Sequence, residues 1–356
     1  MTRRCSRQVG VGGIPLGGGA PVVVQSMTDT PTSDVGATLE QIGLLARNGA
    51  EIVRVAVPDE AAARALSGIV PESPVPLVAD IHFDPRLAML ALENGIHKLR
   101  LNPGNIRRAA DVRSIAREAG ARGVPIRIGV NSGSVPGDLR ERFGGVCEES
   151  LWAAAERHAG LLEETGFRDI VLSIKATDPM LTVRANRLAA VRCDFPLHLG
   201  VTEAGPLVPG CIRSAAALSL LLAEGIGDTV RVSLTAPPET EPRAAWEILS
   251  ALGLRRRFPR VISCPMCARK RIDVSGIASD IQAHLAGVEG DFTVAVMGCE
   301  VNGPGEAREA DLAVIGTPAG MLLFSRGRNL GETVPADLLV MLDEQIGIIL
   351  SEGGIN

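Results

Sequence analysis

The chain has 356 residues, 46% hydrophobic and 22% charged, a balance that excludes wholesale disorder and provides for a sizeable core. Lys and Arg number 36 against 41 Asp and Glu, a formal net charge of -5, which argues against a general nucleic-acid or membrane-surface binder because such proteins carry a basic excess. Aromatic residues make up 3% and Tyr is absent, so base-stacking platforms are excluded as the main business and the core must be aliphatic.

The N-terminal MTRRCSRQVG has no apolar stretch behind its basic residues, and no run of about 18 apolar residues occurs, so a soluble, cytoplasmic protein without membrane segments is expected. Short aliphatic runs then recur: VVVQSM from Val22, IVRVAV from Ile52, PLVADIHF from Pro76, KLRLN from Lys98, PIRIGVN from Pro125, DIVLSIKA from Asp169, LHLGVTEAG from Leu197 and TVRVSLT from Thr229. Amphipathic segments such as LEQIGLLARNGA, PRLAMLALENG and LWAAAERHAGLLEETG alternate with them at helical spacing. Gly49, Gly95, Gly120, Gly166, Gly225 and Gly253 stand where a left-handed helix C-cap wants no side chain. Continuous apolar strands joined by helices imply a parallel sheet covered on its faces, and eight such units in about 250 residues is the count of a (β/α)8 TIM barrel. A doubly wound open sheet is the competing architecture.

After Leu254 the pattern changes. RRRFPR reads as a basic hinge, VISC, FTVAVMG and LAVIG as strands, and helices are expected from about Asp273 and about Pro335. A small α+β domain follows the barrel, with boundaries at 1–255 and 256–356.

Four of the strands place Arg between aliphatic residues, at Arg54, Arg100, Arg127 and Arg231, and Lys175 holds a comparable place. A cation buried in a strand is costly unless paired. Nearby strand-end acids are few, mainly Asp80 and Glu203, so a phosphate or diphosphate at the barrel mouth is the economical partner, since guanidinium forks match phosphate oxygens. Internal salt bridges are the plainer alternative. Gln25, Ser26, His82, Asn102, Asn131 and Ser233 add polar groups at strand ends. Asp80 with His82 is a weak metal pattern and suits orientation or hydrogen bonding. Glu203 is the best-placed carboxylate for proton transfer, with an electrostatic tether as its alternative role.

Seven Cys without a regular framework do not read as secreted disulfides. Cys264 and Cys267 form C-x-x-C, and Cys299 follows in VAVMGCEVNGPGEA. Three thiolates hold three corners of a cluster and leave one iron open, and Glu306 lies on the loop that follows Cys299. A carboxylate there exchanges more readily than a thiolate. Zinc is the rival, with His284 completing a closed Cys3His site, and a redox C-x-x-C is a third reading. Cys5, Cys147, Cys193 and Cys211 receive no role.

Together ADIHFD, LRLNPGNI, PIRIGVNSGS, LHLGVTEAG, GIGDTVRVSLTAPP, ISCPMC and VAVMGCEVNGPGEAREADL resemble the 4-hydroxy-3-methylbut-2-enyl diphosphate synthase family, iron-sulfur enzymes of the methylerythritol phosphate isoprenoid pathway, in its two-domain bacterial form. The resemblance implies two-electron reductive ring opening and dehydration of 2-C-methyl-D-erythritol 2,4-cyclodiphosphate. It implies a 4Fe-4S cluster on Cys264, Cys267, Cys299 and Glu306, electrons from flavodoxin or ferredoxin, and a homodimer. It assigns the diphosphate to Arg54, Arg100, Arg127, Lys175 and Ser233, and the surroundings of the carbon skeleton to Asp80, His82, Asn131, Glu203 and Arg231. This sequence departs from the family's usual pattern at Met266, Ala268 and Arg213, and GTPAGMLLFSRGR lacks its Gly-Lys-Gly element. The alternatives are a divergent paralogue acting on a related phosphorylated substrate and a zinc-stabilised phosphate-sugar barrel enzyme.

Overall fold

A computed structural model describes residues 2–82, 84–101, 108–301 and 303–352. The chain forms two compact units, Met1–Arg255 and Arg256–Asn356.

The first unit begins with a hairpin of β1 (Val9–Val11) and β2 (Ile14–Leu16). Its two-residue turn sets Gly12 and Gly13 at φ 53° and 90°, the left-handed pair that a tight hairpin requires. Val9, Val11 and Leu16 then pack on Val23, Ile52, Val78 and Val171 of the barrel. Sequence periodicity passes over this hairpin, because three-residue strands are too short to show alternation.

Eight strands follow: β3 (Val23–Met27), β4 (Ile52–Val57), β5 (Leu77–Ile81), β6 (Lys98–Leu101), β7 (Ile126–Asn131), β8 (Ile170–Lys175), β9 (His198–Leu199) and β10 (Thr229–Val230). They are hydrogen-bonded in the order β8-β7-β6-β5-β4-β3-β10-β9, all parallel. A bridge between Leu172 and Leu197 joins the two ends, making the (β/α)8 TIM barrel. Four of the helices between the strands start on side-chain caps: the Asp34, Asp59, Asp84 and Asp178 carboxylates accept from the N–H groups of Ala37, Ala62, Arg86 and Met180. Each cap stabilises its helix by about 1 kcal/mol. Five of the expected C-cap glycines have positive φ, but Gly120 lies inside the helix Ala109–Ala121 and Gly123 takes the left-handed position at φ 65°. Gly120 is close-packed instead: a Cβ there would meet the Phe167 ring at 3.5 Å.

In the second unit β11 (Arg260–Ser263), β12 (Thr293–Met297) and β13 (Leu312–Thr317) run parallel, and β14 (Gly320–Ser325) and β15 (Arg328–Thr333) extend the sheet antiparallel. Helices Val274–His284 and Pro335–Glu352 bury Ile277, Ile281, Leu338, Leu342 and Ile346 against Val294, Val296, Leu312 and Val314. Side chains on the other sheet face, Ala295, Met297, Ala313 and Ile315, pack with Ala310. The β14–β15 hairpin is absent from the sequence expectation. It turns on Arg326 and Gly327, at φ 48° and 77°, a signal that only the Gly carries in sequence. Among the described residues no helix is long and apolar enough to cross a membrane.

Candidate active site

Strand register assembles the barrel site before any side-chain contact is considered. Asp80 on β5 pairs with Arg100 on β6, and Arg100 with Arg127 on β7. One turn of pleat higher, Gly129 pairs with Ser173 and Asn131 with Lys175 on β8. Inward residues two apart on a strand occupy successive layers. The result is a cavity of about 240 Å3 lined by Arg54, Asp80, His82, Arg100, Arg127, Gly129, Asn131, Ser173, Lys175, Thr202, Arg231 and Ser233. Nine of the residues singled out from the sequence therefore line one cavity. Asn102 lies outside the described residues.

Its charges do not balance locally. Asp80 receives Arg100 Nη1 at 2.9 Å, Arg54 Nε at 3.8 Å and His82 Nε2 at 3.4 Å. Burial pushes the Asp80 carboxyl up, but the hydrogen bond with His82 and the charges of Arg54 and Arg100 outweigh it and hold the group well below the usual carboxylate range. Arg54 also points Nε and Nη2 at the Met27 sulfur, at 2.9 and 2.7 Å, a weak acceptor for a cation. Burial, joined by Arg231 and Arg100 and opposed by Asp80, lowers the Arg54 guanidinium from its ordinary value to about 9.

Among the described residues Arg127, 2% exposed, finds no hydrogen-bond partner for Nε and Nη1, and Arg100 none for Nε. Burial first, then Arg54 and Arg100, pushes the Arg127 guanidinium down. Lys175 has His198 Nε2 at 3.3 Å, while His198 Nδ1 lies 2.8 Å from the Thr229 hydroxyl. Burial followed by the charge of Arg127 pushes the Lys175 ammonium down as well. Such buried N–H groups without acceptors are costly. They suit a ligand that brings several oxygen acceptors and negative charge.

Two features escaped sequence reasoning. Gly129 and Gly200 make room for the cations: a Cβ on Gly129 would stand 3.1 Å from Arg100 Nε, and one on Gly200 would stand 2.7 Å from Lys175 Nζ and 2.6 Å from the Arg231 carbonyl. Their signal was a glycine interrupting an apolar strand. The second is Glu241, 5% exposed, whose carboxylate receives Arg231 Nε at 3.1 Å. Part of the cation excess is thus met by internal salt bridges, with Asp80 and Glu241 as the acids. Five cations still face two carboxylates.

Glu203 is exposed and does not line the cavity, although its neighbour Thr202 does. Its φ of 53° costs a non-glycine residue about 1 kcal/mol, a strain that surrounding structure must hold. A larger cavity of about 590 Å3 lies beside the helices Glu60–Ile69 and Pro85–Glu93. Its Asp59 and Asp84 are already helix caps, and Arg86 pairs with Asp84 at 2.7 Å, so it lacks the uncommitted donors of the barrel cavity.

In the second unit Ser263 pairs with Val296, so Cys264 and Cys299 leave the sheet at the same edge. Cys264, Cys267 and Cys299 line one cavity of about 130 Å3. The Gly298 N–H donates to Cys264 Sγ at 3.2 Å, the kind of contact that stabilises a thiolate. A Cβ on Gly298 would meet Val274 at 2.9 Å and Cys264 Sγ at 3.5 Å, and one on Gly316 would meet the Gly298 carbonyl at 2.6 Å. Glu306 is exposed on the helix Gly303–Glu309 and is not among the lining residues. His284 lies 2.6 Å from Asp343 and is not among them either.

Three thiols lining one cavity are soft donors of the kind that iron-sulfur groups take. The donor set therefore fits an iron-sulfur group.

The family description "GcpE TIM-barrel domain" matches residues 6–246, and "GcpE protein C-terminal domain" matches 260–347. A relative from Geobacter sulfurreducens named 4-hydroxy-3-methylbut-2-en-1-yl diphosphate synthase (flavodoxin) is 50% identical over 347 residues, 98% of this chain and 98% of its own. Relatives of the same name from Parafrankia and Lawsonia intracellularis are 52% identical over 95% of this chain and 88% of theirs, and 48% identical over 98% of both. With a cation-lined TIM barrel followed by a unit that gathers three cysteines, the chain belongs to the GcpE family.

Proposed function

We propose that this chain is an iron-sulfur oxidoreductase that converts 2-C-methyl-D-erythritol 2,4-cyclodiphosphate to 4-hydroxy-3-methylbut-2-enyl diphosphate in isoprenoid synthesis. The relatives' shared name carries the product and the flavodoxin donor. The observation that carries the substrate is the barrel cavity, where five cations face one lining carboxylate. In this reading 1–255 is the substrate-binding domain and 256–356 the cluster domain.

Arg54, Arg100, Arg127, Lys175 and Ser233 hold the two phosphates. The free N–H groups of Arg127 and Arg100 supply donors without first breaking another hydrogen bond. Asp80, kept ionised, accepts from a substrate hydroxyl, and His82, Asn131 and Arg231 bracket the carbon skeleton. Glu203 follows the lining residue Thr202 and, turned in over the cavity, would deliver a proton to the departing hydroxyl oxygen, which leaves as water. Cys264, Cys267, Cys299 and Glu306 would hold a 4Fe-4S cluster, which when bound would supply the two electrons of the reduction, taken one at a time from flavodoxin or ferredoxin. The working form is a cytoplasmic homodimer.

Anaerobically reconstituted protein is expected to be brown, with broad absorption near about 400 nm, and to consume the cyclodiphosphate with reduced flavodoxin. A colourless protein with stoichiometric zinc, or a brown one that leaves the cyclodiphosphate untouched, overturns the reading. Glu203→Gln should lower kcat by about 10²-fold or more while keeping diphosphate affinity. Unchanged turnover would remove its proton role.

A further inference from the structure

Between the end of β10 and the helix Thr240–Ala251 the chain carries two cavity residues, Arg231 and Ser233, on a segment that strand pairing barely holds. The ladder of β10 covers Thr229 and Val230 alone. Beyond it Arg231 N donates to the Leu199 carbonyl and Thr235 N to the Gly205 carbonyl. Val232 between those two points is fully buried, and the side-chain hydrogen bonds to the stretch come from one carboxylate. Glu241 Oε2 accepts from Arg231 Nε at 3.1 Å and from the Ser26 hydroxyl at 3.3 Å, while Oε1 accepts from Arg231 Nη2 at 3.4 Å and from Leu234 N at 3.0 Å.

We infer that Glu241 is a positioning residue for the substrate anion, acting through Arg231 and Ser233. A carboxylate that is 5% exposed is retained at low cost only if its lone pairs are met, and here four donors from β3, the β10 exit and Arg231 itself meet them. The geometry also divides the Arg231 fork. Nε and Nη2 face Glu241, and among the described residues Nη1 meets only the Met27 thioether at 3.6 Å, which leaves that corner for a stronger acceptor. Glu241 thereby fixes which edge of the guanidinium reaches the cavity. Its grip on Leu234 N sets the backbone beside Ser233. A salt bridge serving the fold alone would not need to hold both.

This inference rests on the reading that Arg231 touches the substrate, so the experiment separates the two. In full-length, cluster-reconstituted enzyme without reductant, Glu241→Gln should weaken cyclodiphosphate binding, measured by calorimetry, by about tenfold. It should raise KM for the cyclodiphosphate in step and change kcat by less than about threefold, as expected when binding common to ground and transition states is lost. Glu241→Asp should recover part of the affinity. Arg231→Met should weaken binding alone, and adding Glu241→Gln to an Arg231→Met/Ser233→Ala variant should weaken it no further, because Glu241 then has nothing left to orient. This comparison remains readable if Glu241→Gln by itself does not fold. Unchanged affinity and KM in folded Glu241→Gln, or a further loss when it is added to Arg231→Met/Ser233→Ala, overturns the positioning role. Unchanged affinity in Arg231→Met overturns the contact on which it rests.

Discussion

At the barrel mouth the chemical groups leave strands and are nearly sealed in, with Arg127 at 2%, Arg100 at 7% and Lys175 at 8% exposure. In the second unit the three thiols leave the segments after β11 and β12, Cys267 is exposed, and Glu306 lies on an exposed short helix. Strand register sets the first site to within side-chain freedom and leaves its cations under-neutralised. The second site has its three thiols on irregular backbone, where a bound group would itself close the geometry, as metal binding commonly does. A phosphate site benefits from rigid donors placed in advance. Cluster ligands need only share an edge and an exit direction.

That contrast breaks most sharply at the cysteines. Cys299→Ser is expected to abolish the absorption near about 400 nm and all turnover, while diphosphate binding to the barrel, followed by calorimetry, persists. A parallel loss of diphosphate binding would show that the two sites are not built independently.

Arg127→Met should reduce diphosphate affinity by about 100-fold yet leave thermal stability equal or higher, because it removes a buried cation with two unpartnered N–H groups. A large fall in melting temperature would mean that Arg127 is chiefly structural.

Gly200→Ala should destabilise the protein by about 1–3 kcal/mol and displace Lys175, since its Cβ would stand 2.6 Å from the Arg231 carbonyl and 2.7 Å from Lys175 Nζ. Denaturant unfolding reads the first effect and diphosphate affinity the second. Gly298→Ala, against Val274 and Cys264, should impair cluster loading and leave the barrel untouched.

The smallest effect is that of pH. With the Arg54 guanidinium lowered by burial to about 9 in the folded protein, diphosphate affinity should decline as pH rises through 9, because the anion needs the charged form. Stability moves the other way for this group: above about 9 the unfolded chain binds the extra proton, so rising pH favours the fold. Calorimetry with inorganic diphosphate across that window tests the direction, and Arg54→Met should flatten it.

Much of this was legible in the residues. Strand and helix alternation marks the barrel, and Arg54, Arg100, Arg127, Lys175 and Arg231 stand out because a cation in an apolar strand has a cost that demands a partner. The two hairpins were not legible, since turn geometry rather than hydrophobic period makes them. Glu241 was not either: its sequence neighbours are those of an ordinary helix start, and only folding brings it to Arg231 and Ser26. The sequence by itself determined which side chains face inward and which thiols stand two residues apart, because pleat and spacing are local properties. Tertiary structure alone decided which acid meets which cation and which N–H groups are left without acceptors, because those depend on closing the barrel through Leu172 and Leu197 and on residues far apart in the chain.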